Sequence, residues 1–142
     1  MKKVSNILKR KGSNVITISP NITVLDALKQ MAEKNIGSVI VMQADQYLGF
    51  VTERDYSRKI ALKGKNSATT MVSEIMTSDL PSVDPSDSIE HCMALMTTRN
   101  IRYMPVFENK KLAGIVSMSD VVKETILAQK ETINQLQSYI QS

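Results

Sequence analysis

Apolar positions in this chain fall into two rhythms, alternation and helical spacing, and the same succession of rhythms occurs twice. Val15 to Ile18 reads as a short strand stopped by Pro20. Thr23 then opens a capping box with Asp26, and Val24, Ala27, Leu28 and Met31 share one helical face. Gly37 is the expected stop or close-approach point after that helix. Ser38 to Met42 is a β-branched run, Gln43 to Gln46 a polar turn and Tyr47 to Val51 a return strand, with a helix opening at Thr52 or Glu53 and running through Tyr56 and Ile60. Further on, Ser88 caps a helix bearing Ile89, Cys92, Met93 and Met96. Met104 to Phe107 and Leu112 to Val116 pair around Glu108 to Lys111, and a last helix begins near Ser119. Strand, helix, strand, strand, helix, stated twice, predicts an α/β (α+β) sandwich with short sheets and outer helices.

The repetition is literal at some positions. Residues 17–55 slide onto 82–120 without a gap, at an offset of 65, and eight positions are identical: Pro20, Met31, Asn35, Ile36, Val41, Gly49, Val51 and Asp55. Two such copies are too few for a solenoid and read as an internal pseudo-dimer, each half lending the other a wall of core. The expected layout is an N-terminal helix and lead-in over 1–14, a first repeat over 15–61, a linker over 62–77, a second repeat over 78–127 and a helical tail over 128–142. Val4, Ile7 and Leu8 sit at helical spacing, which predicts a short helix packed on the second half. In the tail, Ile126, Ile133, Leu136 and Ile140 succeed one another at gaps of 7, 3 and 4. That stripe fits packing on the protein's own body or, equally, pairing with a second chain.

Composition narrows the function without choosing it. With 42% hydrophobic and 23% charged residues in 142, the chain is globular. No apolar run is long enough to span a bilayer, and the first dozen residues carry no secretory h-region. Cys92 is the single cysteine and His91 the single histidine, which excludes internal disulfides and ordinary Cys/His zinc sites and suits a reducing, cytoplasmic setting. A net charge of +4 accommodates an anionic small molecule as readily as nucleic acid. Neither a stacking-aromatic sheet nor a concentrated basic helix is present, which argues against nucleic acid. Lys9-Arg10-Lys11 is either a solvated loop or a patch near ligand phosphates.

Chemistry concentrates where each return strand meets a helix. The first copy reads Gly49-Phe50-Val51-Thr52-Glu53-Arg54-Asp55 and the second Gly114-Ile115-Val116-Ser117-Met118-Ser119-Asp120. A hydroxyl residue with Asp three positions on caps a helix. The same geometry gathers free N–H groups and a hydroxyl that bind phosphate, with a carboxylate able to hold ribose hydroxyls. Both readings stand at this point, and the duplication at one spacing favours the second.

The sequence resembles a tandem pair of cystathionine-β-synthase (CBS) domains, or Bateman module, of the small stand-alone bacterial type, over roughly residues 4–127. The motifs that carry the resemblance are G-F-V-T-E-R-D and G-I-V-S-M-S-D, N-I-G-S-V-I-V and N-I-R-Y-M-P-V, the lead-ins I-S-P-N-I-T-V and V-D-P-S-D-S-I, and V-S-E-I-M-T before the second copy. The resemblance implies two pseudo-twofold-related repeats packed through their sheets, with clefts between them that take AMP, ADP, ATP, NAD or S-adenosylmethionine. By the same resemblance Thr52 and Ser117 meet phosphate, Asp55 and Asp120 the ribose, and Thr17, Ser82, Ile36, Gly37, Ser38, Tyr103, Met104 and Pro105 lie around adenine. Arg54 and the basic excess favour an anionic ligand, AMP first, with NAD and ATP next. Arg54 and Arg58 in the first copy and Arg102 in the second are further phosphate candidates, or else solvated arginines. The two sites are expected to be unequal, because Ser119 stands opposite Arg54 and Arg102-Tyr103 opposite Gly37-Ser38.

The expected function is a regulatory sensor of an adenine nucleotide, working as a homodimer on a separate effector protein. The alternatives are a nucleic-acid-linked regulator and a ligand-independent interaction scaffold. No nucleophile with a base partner and no Walker, H-E-x-x-H, G-x-S-x-G or C-x-x-C motif is present, so no enzymatic activity is expected.

Overall fold

The computed structural model describes residues 2–12 and 15–141. In chain order the elements are α1 (Val4–Lys11), β1 (Thr17–Ile18), α2 (Val24–Lys34), β2 (Ser38–Gln43), β3 (Gln46–Thr52), α3 (Glu53–Tyr56) with a π-helical continuation (Ser57–Ala61), α4 (Val72–Ile75), α5 (Ile89–Arg99), β4 (Tyr103–Glu108), β5 (Lys111–Ser117) and α6 (Met118–Gln141). The architecture is mixed α+β, with a helix at the N-terminal side and a long one at the C-terminal side. Contacts divide the chain into two compact units, one over Val15–Leu80 and the other joining the N-terminal stretch to everything from Pro81 onward.

In the Val15–Leu80 unit the sheet order is β1-β2-β3. β1 runs parallel to β2 (Thr17↔Ile40), and β2 and β3 form an antiparallel hairpin with a bulge at Val41/Met42. The predicted Thr23 cap is present: its hydroxyl accepts the Asp26 amide at 3.1 Å, satisfying one free N–H of α2. α2 turns Val24, Ala27 and Met31 inward, where they meet Val39, Val41, Val51, Ile60, Val72 and Ile75 in one buried cluster. The last two belong to α4, whose start is tied down by Val72 N to Ile22 O (2.9 Å) and Ser73 N to Pro20 O (3.1 Å).

The other unit repeats this plan with α1 in the place of α4. Val4 N donates to Asp87 O and Ser5 N to Pro85 O, both at 2.9 Å. These acceptors are the 65-offset counterparts of Ile22 and Pro20. The helix expected at residues 4–10 does pack on the second repeat, with Val4 and Ile7 buried among Ile89, Cys92, Met96, Met104, Val106, Val116 and Val121. Each unit therefore has its own core, closed by the short helix that precedes the other repeat in sequence.

Three local expectations change. The helix stop is Asn35, not Gly37: Asn35 and Asn100 take the left-handed conformation (φ 53° and 52°) as C-caps of α2 and α5. Asparagine tolerates that region because its short amide bonds locally, which is why the Asn-Ile pair recurs. The second repeat's lead strand shrinks to a single bridge, Val83↔Val106. In the first repeat Ile40 N reaches Ile16 O (3.4 Å), whereas Pro105, its counterpart, has no N–H to give. Lys9, Arg10 and Lys11 form the last turn of α1 rather than a loop.

Candidate functional site

Each unit presents a strand-to-helix junction, and the two are built from the same backbone bonds. At the first junction β3 ends at Thr52, whose partner across the hairpin is Ser38. Glu53 N donates to Gly37 O at 3.1 Å. Thr52 and Asp55 form a reciprocal capping box: Asp55 N donates to Thr52 Oγ1 (3.1 Å), and Thr52 N donates to Asp55 Oδ2 (3.0 Å). At the second junction Tyr103 pairs with Ser117, and Met118 N donates to Arg102 O at 2.9 Å. Asp120 N donates to Ser117 Oγ (3.1 Å) and Ser117 N to Asp120 Oδ2 (2.9 Å). Capping is thus observed at both.

The carboxylates differ in what else they hold. Asp55 is 8% exposed, and both of its oxygens are engaged. Oδ2 also accepts the Thr52 hydroxyl (3.1 Å), while Oδ1 accepts the Thr77 hydroxyl and pairs with Lys59 Nζ, each at 3.0 Å. Lys59 is held in turn by Ile75 O at 2.8 Å. Asp120 is more open. Its Oδ2 pairs with Lys11 Nζ of α1 at 2.8 Å, and the side chain is 19% exposed. Among the described residues its hydrogen bonds from Lys11 Nζ and the Ser117 amide both fall on Oδ2, which leaves Oδ1 the more open acceptor. Partial burial pushes the Asp120 carboxyl up, but the Lys11 hydrogen bond, the Ser117 amide, the Lys11 charge and the Ser117 hydroxyl outweigh it and hold it below the ordinary value of 3.8.

The cations have changed places between the copies. Lys59 has Glu124 as its 65-offset counterpart, so the residue that neutralises Asp55 is reversed in sign. Glu124 is 2% exposed and is paired instead with Arg10, while Lys11 serves Asp120. Lys11, Lys59, Thr77 and Glu124 lie outside the site residues that the sequence motifs select. The sign reversal at the 65 offset is the available signal for two of them.

Of the residues expected around a ligand, the first unit brings together Gly37, Ser38, Thr52 and Asp55. Ile36 lies partly buried at the end of the α2 cap. Thr17 is exposed on β1 beside Ile40, two positions along β2 from Ser38. Arg54 and Arg58 are exposed, Arg54 in the first turn of α3 and Arg58 in its π-helical continuation, and neither takes part in an ion pair among the described residues. The second unit brings together Arg102, Tyr103, Ser117 and Asp120, with Met104 and Pro105 buried further along β4. Ser82 is exposed just before the bridged Val83. Among the described residues no cluster of three or more His, Cys, Asp or Glu could hold a metal ion.

The model of the CBS domain matches residues 4–62 and 72–126. The chain belongs to the CBS-domain family. Its fold is shared with a Burkholderia ambifaria protein described as a candidate signal-transduction protein with CBS domains, at 44% identity and a TM-score of 0.85, over 90% of this chain and 96% of that one. It is also similar to a hexameric CBS-CP12 protein from bloom-forming cyanobacteria, at 35% identity and a TM-score of 0.76, over 89% of this chain and 74% of that one. A mitochondrial CBS domain-containing protein of Arabidopsis thaliana is 35% identical over 97% of this chain and 71% of its own length. The family match is linear where the structure is interleaved: the first matched CBS segment begins with α1, which packs in the unit of the second repeat. No helix among the described residues is long and apolar enough to cross a membrane.

Proposed function

We propose that this CBS pair is a regulatory module that binds an adenine nucleotide, AMP in preference to NAD, ATP or ADP, and relays occupancy to a second copy of itself or to an effector protein. The supporting observation is the duplicated strand-to-helix junction, a hydroxyl at a helix start with a carboxylate beside it. Thr52, with exposed Arg54 and Arg58 in the following turns, supplies phosphate donors and charge. Ser117 and Asp120 offer a hydroxyl and a carboxylate with one more open oxygen, suited to ribose hydroxyls. Asp55 would have to surrender a cap, a threonine hydroxyl and a lysine to do the same, so Asp120 is the preferred ribose acceptor. Binding regulates only if the ligand prefers one of two arrangements, since a ligand shifts an equilibrium by its differential affinity alone.

Thermal unfolding of nucleotide-stripped protein tests this reading. AMP at a hundredfold excess over its Kd stabilises a binding-competent fold by about 2.7 kcal/mol, and a cytidine monophosphate control does not. Unchanged midpoints with AMP, NAD and ATP alike overturn it. The saturated hydrogen bonding of Asp55 favours a second reading, a scaffold whose helix caps are purely structural, and that same null result would establish it.

A further inference from the structure

We propose that the outward stripe of α6 is a self-association seam, and that it pairs in parallel with the same stripe of a second copy as a short two-stranded coiled coil. Early in α6, Val121 and Glu124 are buried and Glu131 is held by Lys2 at 3.1 Å, so this face lies on its own unit. The opposite side carries Val122, Ile126, Ile133, Leu136 and Ile140, exposed by 45, 47, 52, 57 and 81%. On a 3.6-residue helix these positions fall within a stripe roughly 80° wide, the width of a coiled-coil seam rather than of a globular helix face. Past Glu131 the own-unit face continues as Gln135, Ser138 and Tyr139, and every residue from 131 to 141 is exposed, so no buried apolar contact there holds the last turns down.

The heptad chemistry identifies the occupant. Ile126, Ile133 and Ile140 take the a positions, Val122 and Leu136 the d positions, and Gln129 is the one polar d residue. β-branched a residues with Leu at d favour two parallel strands. In parallel register Gln129 meets Gln129 of the second copy, and the flanking contacts are Thr125 to Lys130 and Thr132 to Gln137, with no like charges opposed. Antiparallel pairing of the same stripe would set Gln129 against Ile133 and bring the two Lys130 ammonium groups together, a buried unpaired amide and a repulsion at once. Covering the stripe removes on the order of 500 Å² from water per chain, so that two copies together reach the roughly 1,000 Å² that a specific interface must bury. The inference is independent of the ligand reading, because no residue of either junction lies on the stripe.

Sedimentation velocity across the micromolar range tests it with the full chain. Wild type is expected to dimerise, and Ile133→Lys/Leu136→Asp to associate at least roughly tenfold more weakly, about 1.4 kcal/mol. Both side chains are already exposed, so the variant's circular dichroism and melting as a monomer stay those of wild type. Leu136→Cys is expected to oxidise to a disulfide-linked dimer, whereas Ser138→Cys on the far side does not. A monomeric wild type, a double variant that associates as well as wild type, or equal cross-linking at 136 and 138 overturns the proposal.

Discussion

A lysine that folds back one turn in the first repeat has become a buried glutamate in the second, and the helix before the first repeat makes good the difference. Lys59 neutralises Asp55 from i+4, while Lys11 and Arg10 reach across from α1 to Asp120 and Glu124. The depressed Asp120 carboxyl makes this a pH-dependent tie. A group whose folded pKa lies below its unfolded value stabilises the fold above the unfolded value, here 3.8, and that contribution disappears as pH falls through the lower folded one. Lys11→Met is therefore expected to melt lower than wild type at neutral pH, with the gap closing in acid below that range. Melting curves of both proteins against pH check this, and a gap that persists or widens in acid contradicts it. Arg10 and Lys11 are visible in sequence only as ordinary charges, because an ion pair between α1 and α6 leaves no periodic mark on either, while Lys59 and Glu124 are marked only by their opposite signs at the 65 offset.

At the level of elements, the repeated glycines are close-approach points of different severity. A Cβ on Gly49 would stand 2.5 Å from the Thr77 carbonyl oxygen, where Phe50 and Thr77 exchange backbone hydrogen bonds at 2.9 and 2.8 Å. On Gly114 it would meet only the Leu8 Cδ2 methyl, at 2.8 Å, at the end of a side chain that can turn away. Gly49→Ala should cost about 1–3 kcal/mol, the range for forced overpacking, and Gly114→Ala distinctly less. Denaturant unfolding of the two variants decides it, equal losses meaning that the backbone contact is not what demands glycine. The helix caps at Thr23 and Ser88 and both hairpins are legible because each is specified by residues close in sequence. Pattern reading misplaces the end of α2 at Gly37 because glycine is the commoner stop. It overcounts the lead strand of the second repeat because Pro105, which removes its hydrogen bond, lies more than twenty residues downstream.

For the whole molecule, the interleaving matters more than the repeat itself. Residues 4–10, whose apolar spacing predicts a helix on the second repeat, do pack there. The return of α4 to the first unit cannot be read from the chain, because Val72–Ile75 also reads as the lead-in to the second repeat. Each repeat is thus closed by a helix that belongs, in sequence, to the other, and each polar junction draws its lysine from a different source. Among the described residues that difference leaves Asp120 with the more open oxygen and Asp55 with both engaged, and the proposed sensor turns on it. Calorimetric titration of AMP, NAD and ATP into nucleotide-stripped wild type, Asp120→Asn and Asp55→Asn measures it directly. The account predicts micromolar binding to wild type, weakened by roughly 1–3 kcal/mol in Asp120→Asn, the loss expected when a hydrogen-bonded carboxylate is removed. Asp55→Asn should lower the melting point while keeping most of its affinity. No heat with any nucleotide, or a larger loss of affinity at Asp55 than at Asp120, would contradict it.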